Sequence, residues 1–245
     1  MESFSNSEWV GLTMILFLLV YSLWEADTPR KDILSGKKSK LRMYRETILF
    51  LWLPTSGLLL TVLFCETDPS AIGIWWHSGW TFWAGMLIAT LFALYLCWHV
   101  LSIRNDSEQR RQLAEAMKAH SWMMPATRKE LNWFTCGVSC SAGICEEILF
   151  RGFLLGTLSP VTGMIGAVVF SSIVFGLCHV YQGWVNVIRT SVIGIILSGI
   201  YLTTDSLIIV IVLHALVDIY GGVIGYLANQ SARMDETGRQ MRAAQ

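Results

Sequence analysis

The chain is poor in charge: only 15% of its 245 residues are Asp, Glu, Lys or Arg, and acids and bases balance at 18 each. A typical soluble domain carries about 25% charged residues, so this one lacks the surface for that life. Balanced charge and a pI near 6.9 also remove the basic footprint that nucleic-acid binding requires, and no nucleic-acid partner is expected. Proline is scarce at five residues, and no low-complexity tract or internal repeat divides the chain. The six cysteines, at 65, 97, 136, 140, 145 and 178, form no CxxC pair and lie in or beside apolar runs. That argues against a disulfide framework and against a zinc ribbon. Neither HExxH nor GxSxG occurs, so there is no zincin helix and no nucleophile elbow. Glu2 and Glu8 precede the first apolar run without any Lys or Arg, which excludes a signal peptide's basic n-region and predicts a retained first helix.

What is present is apolar. Hydrophobic residues make up 53% of the chain, 11 of its residues are Trp, and the mean hydropathy is +0.50. A membrane span needs about 20 apolar residues. Runs at 9–24, 47–65, 79–103, 131–158, 161–180, 184–203 and 206–228 predict an all-α polytopic transmembrane helix bundle. The count is about seven spans, with eight as the other possibility, in a single integral membrane domain over 1–245. Lys and Arg concentrate in 25–45, in 104–130 and in the tail at Arg233, Arg239 and Arg242, whereas 66–78 has none. Seven spans put every basic stretch on one side, which by the positive-inside rule is the cytoplasm. The N-terminus is then outside and the C-terminus cytoplasmic, with a bacterial plasma membrane as the expected home. Residues 109–120 read as a helix lying on the membrane surface.

Against this background Cys145-Glu146-Glu147-Ile148-Leu149-Phe150-Arg151 stands out, because it sets three ionisable groups in an apolar run. A charge at the centre of a membrane helix costs about 2.5–3.5 kcal/mol, so such groups mark a site and call for a partner. Candidate partners follow on later runs: Phe175 with His179, and His214 with Asp218, each pair four apart and so on one helix face. Glu147 and Arg151 share a face in the same way and read as a compensated pair that can orient its neighbours. Glu146 points about 100° away from them and is free to act.

EExxxR, FxxxH and HxxxD, in that order on successive hydrophobic runs, resemble the CPBP family, the CAAX-protease and bacteriocin-processing intramembrane proteases. The resemblance covers roughly 131–228, which makes that stretch the expected catalytic core. It implies that Glu146 and His179 activate water and that His214 with Asp218 stabilises the oxyanion, with Glu147, Arg151 and Phe175 in support. One position departs from the pattern. Many members have Asn where this chain has Asp218, and an ionised carboxylate cannot donate a hydrogen bond. Asp218 must then be protonated, orient His214 or bind a cation. Glu146, His179, His214 and Asp218 also form a zinc set by ligand type, so zinc stays possible beside the favoured metal-free, glutamic mechanism.

The expected activity is an intramembrane endopeptidase acting on a membrane protein or peptide, lipidated or not, with the bilayer as its medium. The alternatives are a non-catalytic scaffold or immunity protein, and a proton-coupled transporter, since chains of Glu, His and Asp also move protons. Repeat symmetry of the kind many transporters carry is not evident. Cys145 and Cys178 read as packing residues, as do Ser139 and Ser141, whose hydroxyls can bond back onto the helix. Gly152/Gly156 and Gly221/Gly225 read as packing pairs, His99 as a wetted helix-end residue, and Asp205 as a solvated turn residue. Arg189 can snorkel to the interface, pair with Asp218 or hold a substrate carboxylate. One conflict is built in. From Leu131, Glu146 lies about 22 Å along the helix axis, whereas His179 ends its own run at the cytoplasmic side. A partly interfacial or broken segment from Leu131 to roughly Ser141, with the true span starting near Cys140, is therefore predicted.

Overall fold

The computed structural model describes residues 4–64 and 79–243, apart from the side chains of 235–239 and 242–243. The expectations for Glu2, for Cys65, for the base-free loop 66–78 and for the side chains of Arg239 and Arg242 lie outside the described residues. The chain is helical throughout these residues, with no strand among them. Helix α1 is Asn6–Trp24, α2 Thr28–Leu34, α3 Lys40–Phe64, α4 Trp80–Asn105 and α5 Ser107–Ala116. Next come α6 Arg128–Asn132, α7 Cys140–Glu147, α8 Leu155–Leu177, α9 Trp184–Thr204 and α10 Leu207–Ala243. Starts are set by local chemistry: Ser5 with Glu8 and Thr127 with Glu130 form capping boxes, and Asp106 caps α5. Each cap satisfies amide groups that a helix cannot pair internally.

Among the described residues six helices are long and apolar enough to cross a membrane. One of them, Arg128–Leu177, has 50 residues, about 75 Å if straight against a hydrocarbon core of about 30 Å. It is not straight. Gly163, three residues after Pro160, adopts φ 72°, ψ 160° inside α8, a region that L side chains rarely enter. Beyond it the chain folds back: the Ser171 hydroxyl donates to the Phe150 carbonyl at 3.1 Å, and the Phe150 and Phe175 rings lie 5.2 Å apart. A straight helix would hold those residues more than about 30 Å apart. The long helix is a hairpin, so the six candidate spans contain seven antiparallel segments among the described residues.

The break predicted within 131–141 is absent. Asn132, Ser139 and Cys140 hold right-handed helical angles, and the helix continues instead through two π-helical stretches, Trp133–Ser139 and Ile148–Leu154. Ser139 Oγ and Cys140 Sγ bond back to the Phe134 and Thr135 carbonyls, at 3.0 and 3.4 Å, in the i−5 spacing of that register. The error was to measure the depth of Glu146 from the start of the helix. Depth is set by the turn at Gly163, from which Glu146 and His179 are nearly equally far along the chain, so the antiparallel arms bring them level.

Side by side, the helices approach closely where small residues allow it. A Cβ on Gly176 would sit 2.6 Å from the Val187 carbonyl and against Ser191 Oγ; one on Gly143 would sit 3.0 Å from the Ile211 carbonyl. These contacts clamp α8 to α9 and α7 to α10. The shared core includes Ile15, Leu18, Leu58, Phe82, Leu149, Phe150, Phe153, Phe175, Ile209 and Val210. Leu53, Phe64, Trp80, Trp83 and Ile165 stay exposed, an apolar outer face suited to lipid. At one end the basic stretches meet. Lys40 Nζ donates to the carbonyls of Ser121 at 2.7 Å and Met124 at 2.5 Å, and Arg233 Nη1 donates to that of Ala126 at 3.2 Å. These contacts gather residues of the three basic stretches at one end of the bundle.

Candidate active site

The adjacent acids of α7 face different surroundings. Glu147 is fully buried, and its Oε1 accepts from Arg151 Nη1 at 2.8 Å and lies 2.6 Å from His214 Nδ1. Arg151 is equally buried, donates from Nη2 to the Gly194 carbonyl at 3.3 Å, and lies 4.3 Å from the centre of the Phe175 ring. A buried ion pair of this kind holds when hydrogen bonds offset its desolvation; here Glu147 Oε1 and the two Arg151 Nη atoms are bonded, while Glu147 Oε2 and Arg151 Nε have no partner. Phe175 serves three neighbours, since its ring also meets those of His179 and His214 edge-on at 4.9 and 5.9 Å.

Glu146 is not compensated in this way. Its side chain is 13% exposed and its Oε2 is buried with no hydrogen-bond partner. That oxygen faces two imidazoles, 3.8 Å from His179 Nε2 and 3.7 Å from His214 Nε2. Both separations exceed a direct hydrogen bond and suit a bridging water. The tautomers follow from the far side of each ring. His179 Nδ1 lies 2.9 Å from the Phe175 carbonyl, which can only accept, so Nδ1 carries the proton and a neutral His179 turns its Nε2 lone pair toward Glu146. His214 Nδ1 donates likewise to an ionised Glu147. Asp218, 35% exposed, has Oδ2 3.8 Å from His214 Nε2. Orientation of His214 therefore falls to Glu147.

A cavity of about 230 Å³ is lined by Glu146 and His179. Its lining also includes the apolar or aromatic Tyr21, Phe50, Leu51, Met123 and Phe134 and the charged Glu25, Lys38 and Glu46. Among the described residues lining it, His214 and Asp218 do not occur, whereas Tyr181 does.

The remaining residues singled out in the sequence sit elsewhere. Arg189 is exposed on α9, and the exposed Asp205 takes the left-handed C-cap of that helix. Ser141 accepts from Trp52 Nε1 at 3.0 Å, and Cys145 is fully buried. His99 is paired, 2.9 Å from the Tyr220 hydroxyl. Gly221 meets nothing within 4 Å of an added Cβ, while its neighbour Gly222 abuts Phe134, so 221 is not a packing position. Three features escaped the sequence reading: the π-helical stretches, the grip of Glu147 on His214, and Tyr181. Gly143, Gly176 and Gly194, small residues on the very helices that carry or hold the ionisable groups, were a usable sign of where those helices touch.

The ligand types of Glu146, His179, His214 and Asp218 suit zinc, which binds N and O donors at about 2.0–2.2 Å, so that tetrahedral donors stand about 3.2–3.6 Å apart. Here the donor separations are 3.7–3.8 Å, and among the described residues no three His, Cys, Asp or Glu side chains converge as a metal site.

No curated protein and no solved structure matches the chain. A family model does: type II CAAX prenyl endopeptidase Rce1-like, over residues 128–220. That span begins at α6 and includes both arms of the hairpin, α9 and the part of α10 that carries His214 and Asp218. Over residues 128–220, this multi-pass membrane chain is similar to the type II CAAX prenyl endopeptidases, which supports the resemblance to the CPBP family.

Proposed function

We propose that the chain is an intramembrane endopeptidase that hydrolyses a peptide bond of a membrane-embedded or membrane-tethered substrate through water activated by Glu146 and His179. The observation that carries this reading is the unpartnered Glu146 Oε2, which faces two imidazole Nε2 atoms, on a residue that lines a cavity. A water held there loses a proton to Glu146 as its oxygen bonds to the carbonyl carbon, and the carbonyl electron pair moves onto oxygen. Collapse of that intermediate breaks the C–N bond, and the proton on Glu146 passes to the leaving amine. His214, held by Glu147, faces the same point and as an imidazolium donates to the developing oxyanion. The apolar wall accepts an apolar peptide segment or a lipid tail alike. The basic end faces the cytoplasm, with the N-terminus outside.

A scaffold or a proton relay predicts a different outcome for one variant. Protein termini in membranes of cells carrying the native chain are compared with those carrying Glu146→Gln at equal expression. Termini present only with the native chain are expected, their yield falling about 10²–10⁴-fold in the variant, the usual range for a general base. Indistinguishable sets would sink the protease reading and leave the scaffold. Chelator treatment of the membranes is expected to leave the cleavage unchanged. Loss that added zinc restores would instead make Glu146, His179, His214 and Asp218 ligands.

A further inference from the structure

The proposed reaction needs hydrogen-bond donors around the oxyanion, and Asp218 is ill suited because an ionised carboxylate has no proton to give. His214 supplies one donor through Nε2, since Glu147 holds its Nδ1, but it stands outside the lining of the cavity, so a second donor on that lining is called for. Tyr181 is on that lining, two residues after His179. Its ring stacks on the His179 imidazole, with centroids 6.0 Å apart and planes 28° apart. Its phenolic oxygen accepts from Gln182 Nε2 at 3.0 Å, which leaves the phenol's own proton to be donated. The turn that holds it is fixed: the Gln182 amide donates to the His179 carbonyl at 2.9 Å, Asn186 Nδ2 donates to the Gln182 carbonyl at 2.8 Å, and Gly183 at φ 97° ends the turn. The cavity's other buried phenol, Tyr44, spends its proton on the Met123 carbonyl at 2.7 Å.

We propose that Tyr181 is a catalytic residue whose phenolic O–H donates to the carbonyl oxygen of the scissile bond as that oxygen takes up negative charge. Its position beside His179 puts a donor on the same cavity lining that carries Glu146. Burial, with Glu146 and Asp218 adding to it, pushes the phenol's pKa upward, so the proton stays in place throughout the neutral range.

This assignment rests on the protease reading, and the test separates the two. The rate at which Glu146-dependent termini appear is measured in isolated membranes carrying the native chain, Glu146→Gln, Tyr181→Phe or Tyr95→Phe, each at matched amounts of folded protein. Tyr181→Phe keeps the ring and its stacking and removes only the hydroxyl. The expected result is a fall of about 10²–10³-fold, the usual cost of one oxyanion donor, with Tyr95→Phe, on the exposed face of α4 and off the cavity lining, within about threefold of native as the control for losing a phenol hydroxyl. Cleavage by Tyr181→Phe within threefold of native overturns the assignment and leaves the role of Glu146 standing. A native chain that yields no more termini than Glu146→Gln overturns both.

Discussion

On α7 two adjacent carboxylates leave the helix about 100° apart, and what they meet differs. The Glu147 side enters the packed core, where Arg151 at 2.8 Å and His214 at 2.6 Å share one carboxylate oxygen and the Gly194 carbonyl takes a further Arg151 proton. The Glu146 side opens on a cavity and two imidazoles too distant for direct hydrogen bonds. A buried charge that is paired belongs to the architecture, and removing its partner is costly. A carboxylate left without a partner contributes little to stability and is tolerated where it has chemistry to perform. The two sides of one short helix thus differ in what they meet, one the packed core and the other the cavity at which catalysis is proposed.

The strongest way to break that contrast is to remove the partner on the paired side. Arg151→Met leaves Glu147 buried with only His214, and a loss of about 3–5 kcal/mol is expected, read as unfolding in detergent. Adding Glu147→Leu to the same chain is expected to recover much of it, because an apolar pair of similar volume replaces a buried ion pair at little cost. An Arg151→Met chain as stable as the native one would mean that Glu147 is not compensated by Arg151, and the contrast would fail.

Close helix contacts sharpen the comparison at a smaller scale. In Gly176→Ala the new Cβ meets the Val187 carbonyl at 2.6 Å and Ser191 Oγ, and such overpacking costs about 1–3 kcal/mol. It also pushes α8 off α9 and displaces His179, one turn further on, so cleavage is expected to fall with stability. Gly221→Ala meets no atom within 4 Å and is expected to be neutral or slightly stabilising, since Ala is the better helix former. Thermal unfolding of the two variants side by side checks both expectations, and equal losses would refute the contacts.

The spans and polar helix faces were legible because hydropathy and four-residue spacing are properties of single helices. Glu147 with Arg151 could be read that way, and so could the order of the three motifs. What relates one helix to another was not legible. Glu146 was set at the wrong depth relative to His179 because the turn that levels them lies at Gly163, and a break was inferred where the helix takes up π-helical register. That register is a matter of which carbonyl each amide reaches, and no residue type announces it. Gly221 was read as a contact because spacing alone marks a small residue and not the atom opposite it. Tyr181 escaped because its meaning depends on the stacking of its ring against His179 and on the grip of Gln182.

The smallest effect expected is also the most discriminating. Glu146→Gln keeps the shape of the side chain, and its Oε2 has no hydrogen bond to lose, so stability should change by no more than about 1 kcal/mol while cleavage collapses. The sign should favour the variant, because an amide is cheaper to bury than a carboxylate that nothing pairs. Arg151→Met has the opposite profile: stability falls first, and activity only because the fold is lost. If Glu146→Gln instead cost more than about 3 kcal/mol in the same detergent unfolding assay, Glu146 would be a paired structural acid like its neighbour. The two sides of α7 would then be alike, and the scaffold would become the better account of the chain.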